Sequence, residues 1–142
     1  NEHIYEILEI FEKIQFKQLE ELIINTCTLK EINIFEKMKL EKLKILNLGD
    51  NEINDITILD KVCFRELKEL ILENNEISDI NPLERVKFDK LEILDLDSNK
   101  IQNINVLEKV NFPELKELYL FNNNISDISV LKNVNFKKLE KT

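Results

Sequence analysis

The feature that most limits what this chain can fold into is its self-similarity. Residues 43–64 read LKILNLGDNEINDITILDKVCF, residues 67–88 LKELILENNEISDINPLERVKF, and residues 91–112 LEILDLDSNKIQNINVLEKVNF. The period is 24 residues without slippage: Leu19, Leu43, Leu67, Leu91, Leu115 and Leu139 open successive units. Self-similarity at a fixed period of this length marks a solenoid, because one unit cannot bury its apolar face alone and must stack on its neighbours.

The first half of each unit alternates Leu-x-Leu (Leu46 and Leu48, Leu94 and Leu96), which predicts a short strand. Equivalent strands at equal phase should stack in parallel with their leucines inward. The second half spaces its apolar residues by three, as in Ile104, Leu107 and Val110, and so predicts one or two turns of α- or 3₁₀-helix. Asn33, Thr57, Asn81, Asn105 and Ser129 share one phase and are all favourable N-caps. Glu36, Asp60, Glu84 and Glu108 follow three residues later, in the manner of a capping box, and Pro82 would take the first helical position. The expected fold class is therefore α/β: a curved solenoid with parallel strands on the concave face and short helices on the convex one.

Between the two halves lies a polar position, occupied by Cys27, Asn51, Asn75, Asn99 and Asn123. The chain turns away from the strand there and leaves interior backbone groups unpaired. A stacked Asn amide can both donate and accept, and is expected to serve its own and the next coil. Cys27 reads as a small buried thiol at the same phase, and Cys63 as a plain surface or half-buried cysteine on the convex return.

At this point the residues carry a resemblance. LEILDLDSNKI matches the segment L-x-x-L-x-L-x-x-N-x-I of leucine-rich repeat proteins, and five ladder positions repeat it. The run Asn75 to Ile80, repeated at Asn123 to Ile128, is similar to bacterial internalins and to the short-repeat class of eukaryotic phosphatase regulators. The unit here is longer than is typical of either. The resemblance implies a protein-binding module.

The whole chain, 1–142, reads as a single repeat domain. Residues 1–18 are either a cap helix, with Ile4, Leu8 and Phe11 on one face, or a truncated coil. Full repeats are expected at 19–42, 43–66, 67–90, 91–114 and 115–138, with 139–142 opening another. Since the chain starts at Asn1 and stops just inside a new unit, the natural protein is expected to continue. The apolar edge after Leu120 and Leu139 should favour end-to-end self-association.

Composition narrows the function classes. The net charge of −8 argues against nucleic acid and anionic lipid as partners. No apolar run approaches the roughly 18 residues of a membrane span, so membrane insertion is not expected, and no secretory signal is visible. The cytoplasm is favoured, with a bacterial surface or secreted location left open. Two cysteines make neither a disulfide framework nor a zinc site. The single histidine, His3, has no catalytic companion and there is no glycine-rich phosphate loop, so the chain is not expected to be an enzyme or to hold a cofactor. Asp95, Asp97 and Glu73 would cluster on one face; a solvated acidic surface is favoured there over a calcium site.

What remains is surface. The strand residues that flank the leucines form a grid on the concave face, and among its 20 positions seven are acidic and none is Lys or Arg. The expected partner-binding residues are Glu69, Ile71, Glu73, Ile93, Asp95, Asp97, Glu117, Tyr119 and Phe121, bordered by the basic column Lys44, Lys68 and Lys116. They would take a protein or peptide with basic residues, Tyr119 and Phe121 acting as anchors. The alternative reading is a structural or targeting segment that positions the active domain of a larger enzyme or assembly.

Overall fold

The computed structural model describes residues 2–14 and 16–141. Five three-residue strands, β1 (Glu21–Ile23), β2 (Ile45–Asn47), β3 (Glu69–Ile71), β4 (Ile93–Asp95) and β5 (Glu117–Tyr119), form one parallel sheet in chain order. The register follows the 24-residue period: Leu22 pairs with Leu46, Leu46 with Leu70, Leu70 with Leu94, and Leu94 with Leu118. A slip of one residue would turn all five leucines out of the core, so the alternating pattern itself pins the pairing. A further parallel bridge joins Glu117 to Lys141, where residues 139–141 begin to stack on β5.

Behind the sheet the return of each coil carries one turn of 3₁₀-helix: Asn33–Glu36, Thr57–Asp60, Asn81–Glu84, Asn105–Glu108 and Ser129–Lys132. Apolar residues spaced by three suit this geometry, in which i and i+3 lie over each other. Leu, Ile and Phe of equal phase stack into continuous buried columns, and the Phe64 and Phe88 rings lie stacked with centroids 6.4 Å apart. Each fully buried Leu or Ile is worth about 1.5–3 kcal/mol against exposure.

Capping follows a different scheme from the one the Asn/Thr/Ser phase suggests. Asn33, Thr57, Asn81, Asn105 and Ser129 are the first residues of their 3₁₀ turns. The preceding isoleucines take the boundary, without any side-chain cap. The acceptors sit two residues upstream. Asp55, Asp79, Asn103 and Asp127 each accept the backbone N–H of Thr57, Asn81, Asn105 and Ser129 at 2.8–2.9 Å. An Asx side chain reaches the amide two residues on more easily than a capping box can form in a helix only one turn long. Two of the acidic residues meant for that box instead pair with cations across coils, Asp60 with Arg85 at 2.7 Å and Glu84 with Lys109 at 3.7 Å, and Glu108 accepts the Asn133 amide at 2.8 Å.

Before β1 the chain forms an α-helix, α1 (Glu2–Ile14), and not a partial coil. Leu8 enters the core and Ile4 packs against it. The Tyr5 hydroxyl accepts the backbone N–H groups of Lys30 and Glu31 at 3.1 and 3.3 Å, closing the first coil. The side chain of Phe11, and Thr142, lie outside the described residues.

Candidate binding face

The site is built on the strands, and the Asn ladder holds their C-terminal ends. Asn99 shows the arrangement. Its amide nitrogen donates to the carbonyls of Leu72, Leu96 and Asp97 at 2.9–3.1 Å, and its oxygen accepts the N–H of Ile77 at 3.0 Å. Asn51, Asn75 and Asn123 make the same set one period away. Each amide therefore serves its own coil and the preceding one, not the next, because the donor points back across the stack. Cys27 closes the series: its N–H donates to Asn51 Oδ1 at 3.1 Å and its thiol to the Asn25 carbonyl. Just ahead of the ladder, Thr26, Asp50, Asn74, Ser98 and Asn122 turn the chain with φ between 50° and 56°. After glycine, Asn and Asp tolerate this left-handed region best, whereas the β-branched Thr26 is held in it against its own preference. The turn residues also join along the solenoid, Asn74 donating to Asp50 and Asn122 to Ser98.

This frame fixes the outward residues. Register brings Glu69, Ile93 and Glu117 into one row, and Ile71, Asp95 and Tyr119 into the next. Glu73 stands beside Asp95 and Asp97 closely enough that burial and then the charges of Asp95, Asp50 and Asp97 raise its pKa above the usual carboxylate value. Asp95 is raised as well, mainly by burial, although it accepts the Asp97 N–H at 2.9 Å. Asp50, a grid position of the turn column, thus adds to the field of the three central carboxylates; reading it by its phase one coil before Asn74 locates it.

The two aromatic anchors differ. Phe121 is 80% exposed, while its N–H donates to Asp97 Oδ1. Tyr119 is half-buried and its hydroxyl donates to Glu117, which lowers the Glu117 pKa and raises that of the phenol. Ile71 shares the row of Tyr119 two strands away and Ile93 stands opposite Glu117, and both are half-buried. The basic column beside the face is not a free border. Lys44 pairs with Glu20 at 2.8 Å, and Lys68 and Lys116 both reach Glu92, at 3.1 and 2.5 Å. Among the described residues no group of His, Cys, Asp and Glu is arranged to hold a metal ion.

Models of the leucine-rich repeat families match residues 39–56, 65–109 and 114–134, together more than half of the chain. The chain is a leucine-rich repeat protein. Solved structures agree with that assignment. Internalin C2 of Listeria monocytogenes is 30% identical over 89% of this chain and 52% of its own, with a TM-score of 0.72. An internalin (inlF) of the same organism is 26% identical over 85% and 39%, with a TM-score of 0.61. A leucine-rich repeat protein of Leptospira interrogans is 26% identical over 88% and 32%, with a TM-score of 0.67. This leucine-rich repeat chain thus spans about half the length of internalin C2 and less of the other two. No curated protein sequence matches it. Leucine-rich repeat proteins are in general protein-interaction modules.

Proposed function

We propose that the sheet face captures a protein or peptide segment carrying Lys or Arg beside an apolar side chain. The observation that carries this reading is a contrast in charge. Away from the face, carboxylates find lysines: Glu66 and Glu92 are held below the usual range by Lys90 and by Lys116 with Lys68. On the face, Glu117 is likewise lowered, by Tyr119 and Lys141, but the central Glu73 and Asp95 are pushed above the usual range, first by burial and then by neighbouring carboxylates. The cluster is an electrostatic cost that a basic partner would relieve. A wall of like charge also speeds encounter and sets register, while affinity comes from an anchor in a desolvated spot. Phe121 is the exposed candidate, with the half-buried Tyr119 two residues before it in the chain.

The test is selection from a random peptide library displayed on phage, followed by titration of the selected peptides. Selected sequences should carry Lys or Arg next to an apolar residue. Binding should weaken with salt, and it should strengthen as pH rises through the carboxylate range, because Glu73 and Asp95 bind a cation only when ionised. Phe121→Ala or Tyr119→Ala should mainly raise the off-rate. Acidic or neutral selected peptides would sink the reading. So would an affinity that survives Glu73→Lys and Asp97→Lys together with Tyr119→Ala.

A further inference from the structure

The cap helix carries more apolar surface than its capping role uses. Ile4 and Leu8 face the core, and Tyr5 closes the first coil. Ile7, Ile10 and Ile14 stay 44%, 52% and 55% exposed. Spaced by three and then four, they share a second face of α1, a stripe of the kind that seats another helix. The apolar surface continues from Ile7 to the exposed Ile23 of β1 across a shallow groove of about 320 Å³, floored by Leu8, Leu22 and Ile24.

The charges beside the stripe select its occupant. Glu6 precedes Ile7 and Lys13 precedes Ile14, so both lie on the flank turned away from the solenoid. Glu6 is well exposed, its carboxylate 3.4 Å from the equally open His3 ring, and Lys13 is exposed too. When two copies of α1 pack antiparallel about a two-fold axis, Ile7 lies opposite Ile10 of the other copy. Glu6 then faces Lys13 of the other copy, twice over. A parallel pair brings neither residue to a partner of opposite sign, because the opposite flank of each helix is covered by its own solenoid.

We propose that this stripe is a self-association surface, and that two copies of the chain pair through antiparallel α1 helices. A 13-residue helix is only about 20 Å long. The contact therefore falls at the weak end of specific interfaces, below ~1,200 Å². An isologous pair uses the stripe up and closes, so association stops at the dimer.

Sedimentation velocity of the 142-residue chain across a concentration series tests this. The wild-type chain should shift from monomer to dimer and no further. Ile10→Lys should weaken association by about tenfold or more. Glu6→Lys and Lys13→Glu, at exposed positions that leave the fold intact, should each weaken it by roughly two- to ten-fold. The double variant Glu6→Lys/Lys13→Glu should regain wild-type association, since the exchanged charges meet again across the axis. A chain that stays monomeric up to about 1 mM would overturn the proposal. Association indifferent to Ile10→Lys but lost in Ile128→Lys would overturn it too, by moving the contact to the far edge. A double variant no better than either single one would overturn the antiparallel arrangement.

Discussion

Ile104 and Ile128 hold the same place in consecutive coils, after the same Asn-x-Ile segment, yet one is 1% exposed and the other 65%. The ladder residues beside them differ less sharply: Asn99 is buried and Asn123 half-buried, although both make the same hydrogen bonds. Identical sequence thus has unequal energetic weight. A repeat residue is worth what the next coil makes of it, because that coil, not the residue's own, removes it from water.

Substitution at the two isoleucines should separate the coils most. Ile104→Ala deletes methyl groups from a packed column and should cost about 2–5 kcal/mol, whereas Ile128→Ala should stay within about 0.5 kcal/mol. Urea midpoints measure both, and equal losses would mean that Ile128 is covered in solution. The amides come next. Asn99→Ala strands the Ile77 N–H and three carbonyls and should cost about 1–3 kcal/mol. Asn123→Ala should cost less, since water reaches the groups it leaves behind. Asn122→Ala, one residue ahead and exposed, should cost least of the three. A ranking that places Asn122 with Asn99 would deny the ladder its role.

The comparison also explains what the sequence discloses. Period and alternation were enough for the parallel register, because a slip exposes every leucine at once. The phase of Asn51, Asn75 and Asn99 marked where interior backbone needs a partner. It did not tell which coil the amide would serve, since direction along the stack is a matter of side-chain aim and not of spacing. The helices begin where the Asn/Thr/Ser phase puts them, but the capping role lies elsewhere for a related reason. Asn81 and Ser129 have the right chemistry for a cap, but Asp79 and Asp127 occupy the turn where the free amide points. The lysine column at Lys44, Lys68 and Lys116 looked like a border in one dimension. Reading charges at the repeat period would have shown Glu20 and Glu92 as its partners. The second apolar face of α1 escaped because Ile4, Leu8 and the Ile7 stripe merge into one broad apolar arc on a helical projection.

Charge obeys the same rule of neighbours, with the smallest effects and opposite signs. Glu92 sits between Lys116 and Lys68, and their hydrogen bonds hold its pKa below the usual carboxylate value. A depressed carboxylate contributes stability above its unfolded pKa of about 4.3, and that contribution is lost as pH falls through the folded value. Glu92→Gln should therefore lower the urea midpoint at neutral pH and matter less toward the acid end of the native range. Glu73 is the reverse case, raised by burial and by Asp95, Asp50 and Asp97. Ionising it in the folded chain carries a penalty that is absent below the unfolded pKa and grows as pH rises through the folded one. Glu73→Gln should raise the midpoint at neutral pH, and the gain should fade on acidification. Both changes are expected within about 0.5 kcal/mol, because each carboxylate keeps contact with water. Midpoints measured for the two variants at neutral and acid pH decide the matter through the signs. If both move the same way at neutral pH, the face does not carry the unrelieved charge on which a basic partner would act.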